Sequence, residues 1–350
     1  MVTRSGKAYE IWWAAVEARK SSRRYRIDIE DFLSWMGWEY EDLFNKYLGA
    51  RRSTDPRDVA QITGKIVAFY RRKRSEGWSP GYAKNAVKPL SSFFTENGVT
   101  LEFSKSQRKE MTGHTIHEKD LFSKDELRAL IAATTHPRNR AIVHLLKDTG
   151  MAVSDAADLN VGDVKRALDN GDRFYQIEYI RNKTGVSGTP CMGPEALGSL
   201  RDWMRWRVNK GISSATGDPL FTEIKGEKMG GRMNGDLVGG VVGYMADKAG
   251  LSDKNLTAHG LRVYHASQLE SAGVNKNVIY RMEARLIADS GRVYSKGEVL
   301  SSYVKAYEAL AVQGTKVVEI QDSRVAEMEA KMEKMERALM EIYEKSRQER

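Results

Sequence analysis

Cysteine is almost absent from this chain: Cys191 is the single one in 350 residues. One thiol excludes an intramolecular disulfide and any cysteine-rich zinc site. Long apolar runs are missing too, and nothing approaches the roughly 20 consecutive apolar residues of a membrane-spanning helix. The first residues, Met-Val-Thr-Arg-Ser-Gly-Lys, lack the apolar segment of a secretion signal. Six histidines are present, with no HExxH or other metal-ligand spacing. Acids are in deficit, 47 against 56 bases, which leaves a net charge of +9. These absences predict an intracellular protein that uses no metal or other cofactor. The positive charge predicts a polyanionic partner, with nucleic acid ahead of anionic membrane.

What is present is ordinary globular sequence, 41% apolar and 29% charged, long enough for two domains and a tail. Residues from about 8 to 97 carry apolar side chains at helical intervals, among them Tyr9, Trp12, Trp13, Val16, Ile29, Phe32 and Leu33. Thr54-Asp-Pro56 and Ser79-Pro80 have the form of helix starts. The expectation is a four-helix domain over residues 1–98. Its last two helices carry Arg71, Arg72, Lys73, Arg74, Lys84 and Lys88. Cations at a helix C-terminus account for one or two of these. Residues 51–90, however, hold ten Lys or Arg against Asp55, Asp58 and Glu76, which favours phosphate contact.

Residues 99–120 are polar and read as a linker. The capping box Ser123-Lys-Asp-Glu126 then opens a second domain, expected over 121–314. Helices are predicted at about 123–134, 137–149, 153–159, 194–210, 235–249, 258–273, 275–284 and 298–312. Between the third and fourth of these, Arg173–Ile180 reads as a strand, and a turn over 182–188 leads to a second strand near 189–193. The fold class is therefore mainly α with a small antiparallel β-sheet. In the tail, 315–350, Val318, Val325, Met328, Met332, Met335, Leu339 and Ile342 keep a heptad spacing. With Val325 at position a, Arg324 faces Glu329 and Lys331 faces Glu336 across g and e′, as a parallel coiled coil requires. A solitary amphipathic helix folded on the body is the alternative.

The chemistry-bearing stretch is Thr257-Ala-His259-Gly-Leu-Arg262. It reads as a helix start with Thr257 as the cap and His259 and Arg262 on one face. A helix N-terminus favours phosphate, a guanidinium can hold two phosphate oxygens, and imidazole titrates near neutrality. Alone, His-x-x-Arg describes a surface pair as well as a site. Tyr294 follows 32 residues later in the polar segment Ser290-Gly-Arg-Val-Tyr-Ser-Lys296. Tyr303 and Tyr307 compete with it, but they sit in an apolar helical stretch where tyrosine is usually a packing residue.

His259 to Arg262, the helix–turn–helix continuation through Leu269, Gly273 and Ile279, and the spacing to Tyr294 resemble the second box of tyrosine recombinases of the phage integrase family. Upstream, Thr149-Gly-Met-Ala-Val-Ser-Asp155 is similar to that family's first box. The resemblance looks closest to archaeal or mobile-element branches, and it implies a helical core-binding domain ahead of a mixed α/β catalytic domain. It implies that Tyr294 is the nucleophile, that Arg262 clamps the scissile phosphate and His259 assists proton transfer, and that Asp155 braces the site. Lys183, the only lysine between Lys165 and Lys210, would protonate the leaving oxygen from a hairpin turn. The chain departs from the pattern twice. Ala152 stands where the first box carries an arginine, and Arg285, in Met282-Glu-Ala-Arg-Leu286, stands where the family has a histidine or tryptophan. The first departure, engineered or natural, implies a chain that binds double-stranded DNA and cleaves it poorly. The resemblance further implies a dimer or tetramer acting in the cytoplasm or nucleoid of a prokaryotic host, on its DNA and away from membrane. A type IB topoisomerase-like nicking-closing enzyme shares the chemistry, and a non-catalytic DNA-bridging protein is the reading of another class.

Overall fold

The computed structural model describes residues 2–19, 21–55, 57–112, 122–254, 256–287 and 295–313. It divides into two compact units, residues 1–118 and 119–350.

The first unit holds five helices and a short sixth: α1 (Lys7–Val16), α2 (Ser22–Met36), α3 (Tyr40–Arg52), α4 (Arg57–Ser75), α5 (Pro80–Glu96) and α6 (Lys105–Glu110). The four expected helices become five because residues 40–52 form a helix of their own, α3, opened by a capping box between Glu39 and Asp42. Ser79 caps α5 through the Tyr82 N–H, and Pro80 occupies the first turn, where a missing N–H costs nothing. The core is aromatic: Trp12, Phe32, Tyr40, Tyr47, Phe69, Phe93 and Phe94 are fully buried. Leu101 and Met111 are buried in the same core, so residues 99–111 belong to this unit and are not linker. Val99, Leu101, Phe103 and Met111 are spread through an otherwise polar run, which conceals them from a reading of composition.

The second unit runs α7 (Lys124–Ala132), α8 (Pro137–Thr149), α9 (Val153–Asp158), α10 (Gly162–Asp169), β1 (Tyr175–Gln176), β2 (Tyr179–Ile180), β3 (Ser187–Gly188), β4 (Cys191–Met192), α11 (Pro194–Asn209), α12 (Gly235–Lys248), α13 (Ala258–Ser271), α14 (Lys276–Met282) and α15 (Lys296–Leu310). The helix α10 is an addition to the expected set. The single expected strand over 173–180 is two short pieces: β1 pairs antiparallel with β4, and β2 with β3. The Ser123–Glu126 capping box opens α7, and Ser295 with Glu298 forms another at α15.

Helix α8 is the axle of this unit. It is buried from Ala141 to its end, with α11 and α13 packed against it. Burial on all sides would suit an apolar helix, yet α8 carries His144, Lys147 and Asp148 inside. The Lys147 Nζ lies 2.5 Å from Asp148 and 2.9 Å from Glu195, and donates to the Leu310 carbonyl at 3.1 Å. Asp148 accepts from the Gly193 N–H at 2.9 Å. Glu195 accepts from the N–H groups of Val312 and Gln313 at 2.8 and 2.6 Å. Every charge is thus paired or hydrogen-bonded, the condition for holding ions away from water. The cluster fastens α8 and α11 to the end of α15.

Burial lowers the His144 pKa to about 3, against a weaker pull upward from Glu195. The folded chain therefore binds fewer protons than the unfolded one below the ordinary histidine value near 6.5. Stability falls as pH drops through that value, and His144 alone should account for about 2 kcal/mol between pH 7 and 5. The variant His144→Leu should lose that much less over the same interval in urea titrations at the two pH values. An equal loss in both chains would refute the assignment.

Candidate active site

The loop joining α8 to α9 begins at Gly150, whose φ of +59° closes the helix in the left-handed conformation. A side chain at Gly150 would strike His265 and Glu283, at 2.5 and 2.9 Å from its first carbon. The Gly150 carbonyl turns toward α13 and accepts a 2.7 Å hydrogen bond from Arg262 Nη1. Arg262 Nη2 donates to the Glu283 carbonyl at 2.8 Å, at the end of α14. The guanidinium is only 6% exposed, and burial lowers its pKa while Glu283 opposes the fall. An arginine retains its charge even so.

Glu283 is the residue that sequence reasoning missed. Its carboxylate is fully buried and lies 3.2 Å from His265 Nδ1, 3.6 Å from Arg262 and 2.5 Å from Arg285 Nε. Burial alone would raise its pKa; His265, Arg262 and Arg285 outweigh that and keep it lowered, so the group is ionised. No motif announces it. The available signal was the run Glu283-Ala-Arg285, which puts an acid two residues before a base. The middle residue, Ala284, has φ of +48°, the one positive value outside glycine among the described residues. Its methyl lies against Gly188 of β3, where a side chain would meet Ala284 Cβ at 2.7 Å and Tyr179 at 2.6 Å. This close approach seats the β2–β3 hairpin on the end of α14.

Ala152 is the N-cap residue of α9, half-buried, and provides no side-chain cap. Asp155 lies three positions on, buried, with its carboxylate 3.1 Å from Arg181 Nε. Burial raises the Asp155 pKa, and Arg181 and Arg262 oppose the rise. Lys183 occupies the turn between β2 and β3 and is exposed. His259 is exposed on the first turn of α13, while Arg262 one turn later points inside. Thr257 is the N-cap residue of α13, but its side chain makes no capping hydrogen bond, contrary to expectation. Tyr303 and Tyr307 are buried, and burial raises both pKa values well above the ordinary 10, which unsuits them as nucleophiles. Tyr294 lies outside the described residues.

The structure therefore brings Arg262, Arg285, Asp155 and Ala152 to one place and leaves His259 and Lys183 exposed around it. In the first unit the basic run is less free than its composition suggests. Arg71 pairs with Glu110, Arg72 with Asp31 and Glu76, and Arg74 donates to the Trp78 carbonyl. Lys73 is buried, bound to Asp31 and Glu76, and stacked on Trp78. Phosphate contact by Lys73 is therefore corrected: its charge is already neutralised inside the unit. Lys84 and Lys88 are exposed on α5, four residues apart and on one face. Among the described residues no cluster of His, Cys, Asp and Glu could hold a metal ion, and no helix is long and apolar enough to cross a membrane.

The family model described as Phage integrase family matches residues 121–284. Tyrosine recombinase XerC of Herpetosiphon aurantiacus is 30% identical over 287 residues, covering 77% of this chain and 82% of that protein. Tyrosine recombinase XerD of Corynebacterium glutamicum is 25% identical over 288 residues, with 77% and 85% covered. Among solved structures, a lambda integrase tetramer bound to a Holliday junction superposes with a TM-score of 0.53 at 15% identity. That match covers 85% of this chain and 77% of the other, and it establishes the likeness of fold.

Gly150→Ala should be among the most damaging small substitutions in this unit. It would impose left-handed strain of roughly 1–2 kcal/mol and a clash with the His265–Glu283 pair of roughly 1–3 kcal/mol. The unfolding midpoint in urea should fall accordingly; a change below about 1 kcal/mol would mean that the loop relaxes freely.

Proposed function

The chain belongs to the phage integrase family of tyrosine recombinases, and from that premise we propose that it cleaves and rejoins double-stranded DNA through a phosphotyrosine at Tyr294. The observation that carries this reading is the 2.7 Å bond from Arg262 to the Gly150 carbonyl, which joins the two sequence boxes into one site. In the proposed reaction the Tyr294 hydroxyl attacks a backbone phosphorus, forming a 3′-phosphotyrosyl link as the bond to the 5′ oxygen breaks. His259 assists proton transfer at the rim, and Lys183, on its hairpin turn, delivers a proton to the departing 5′ oxygen. Rejoining reverses the step, and the link conserves the energy of the broken ester. Charge gathers on the equatorial oxygens in the transition state, where Arg262 is fixed beforehand by two carbonyls and has no reorganisation to undergo. Arg285, anchored on Glu283, can donate to an oxygen but cannot serve as a neutral acid or base.

Ala152 removes one cation from this set, so the chain as it stands binds DNA well and cleaves it slowly. Cleavage is measured on a nicked duplex selected for tight binding from a randomised pool, with covalent adducts resolved on a denaturing gel. Ala152→Arg should raise adduct formation by on the order of 10²–10³, and adding Tyr294→Phe should abolish it. Tight binding without adduct from any variant would leave a DNA-bridging protein in place of a recombinase.

The DNA contacts of the first unit fall to Lys84 and Lys88 before the arginines of α4. Self-association is assigned to residues 315–350, which lie outside the described residues and whose heptads have methionine at core positions. The lambda integrase tetramer on its junction is the kind of assembly this implies. Met328→Lys combined with Met335→Lys should shift the full chain toward monomer in sedimentation without weakening single-site DNA binding; an unchanged mass would remove the coiled coil from the reading.

A further inference from the structure

The position of Ala152 is bracketed by two arginines. Arg262 bonds the Gly150 carbonyl two residues before it, and Arg181 bonds the Asp155 carboxylate three residues after it. The N-cap and third positions of a helix are side-chain neighbours, which is why capping boxes form between them. A guanidinium held on Asp155 therefore stands beside the place where a side chain at 152 would extend. Arg181 reaches it from the β2–β3 hairpin. Its backbone N–H donates to the Val186 carbonyl at 2.9 Å, continuing the ladder past Ile180. Strand alternation then puts Tyr179 and Arg181 on one side and Ile180 on the other, where it is 69% exposed.

Three features separate Arg181 from an arginine that only stabilises the fold. Its Nε alone is used, on Asp155, and its two terminal nitrogens have no partner among the described residues. The side chain is 20% exposed, so it opens outward beside the buried Arg262. The buried Tyr179 hydroxyl, also without a partner, lies within electrostatic reach of Asp155, Arg262, Arg181 and Glu283. A phosphate oxygen at this point would satisfy both sets of donors.

We propose that Arg181 supplies part of the phosphate-clamping charge that Ala152 does not, a role resting on the recombinase reading above. One hairpin then contributes two cations, Arg181 to the equatorial oxygens and Lys183 to the leaving group. Asp155 braces an arginine from another segment in place of one from its own loop.

The test is a double-mutant cycle of Ala152→Arg and Arg181→Ala on the selected nicked duplex, reading the rate of adduct formation and, separately, duplex affinity. Arg181→Ala should slow adduct formation by on the order of 10²-fold, with far less effect on affinity. Ala152→Arg should rescue it, its gain being larger by on the order of tenfold or more in the Arg181→Ala chain than in the native one. Arg181→Gln keeps a hydrogen bond to Asp155 without the charge, and it should be as slow as Arg181→Ala while retaining native thermal stability. An Ala152→Arg gain that is the same in both backgrounds, or a fast Arg181→Gln, would reduce Arg181 to a brace for Asp155 and overturn the proposal. In that case Ala152→Arg still forms adduct, and the recombinase reading survives. No adduct from any member of the cycle, Ala152→Arg included, would overturn that reading and this proposal with it.

Discussion

The buried carboxylate of Glu283 fixes the geometry on which the rest of the site depends. It balances Arg262, His265 and Arg285 at the meeting point of α13, α14 and the loop after α8. Without that negative charge, Arg262 would bring a cation into the interior with only carbonyl dipoles and the Asp155 carboxylate, shared with Arg181, to offset it. Removing one partner from a buried ionic set typically costs about 3–5 kcal/mol, because the remaining charge is left without compensation. The pairing also sets direction. Arg262 is tied by one nitrogen to Gly150 and by the other to the Glu283 backbone, so its plane is determined by the fold itself. A guanidinium held this way stabilises developing charge without having to reorganise, the form of electrostatic help that contributes most to a rate.

A second ionic set, Lys147 with Asp148 and Glu195, plays the corresponding part for the end of α15. Glu195 receives the N–H groups of Val312 and Gln313, which holds the chain in place just after α15. The two sets lie on the same axle. Lys147 and Asp148 are followed directly by Thr149 and Gly150, which begin the active-site loop. Helix α8 thus couples the anchoring of the end of α15 to the placing of Arg262, through residues that an amphipathic pattern would assign to the surface.

Compensation is visible where the sequence departs from its family. Ala284 adopts a backbone conformation that favours glycine, and in return its methyl is buried against β3. Gly188 has no side chain at the one point where that methyl needs room. Arg285 gains a carboxylate partner from two residues upstream. On this view Ala152 and Arg181 form one more such pair, lying on either side of Asp155.

Helix positions in the second unit were legible because capping boxes, proline starts and apolar periods are local signals that tertiary packing rarely reverses. Ser123 with Glu126, and Pro137 to Thr149, are instances. His259, Arg262, Asp155 and Ala152 could be read through their resemblance to two family boxes, since a box is a short run of sequence. Glu283, His265 and Arg181 could not. Each becomes informative only through a partner 18 or more residues away, and which acid meets which base is decided by how the helices pack. The same holds for Lys73, basic by composition and neutralised by Asp31 from another helix. The sequence by itself determined the chemical kinds of group and the order in which the chain supplies them. Tertiary structure decided which charges are spent on one another and which remain for a phosphate, because burial and pairing depend on distance in space and not along the chain.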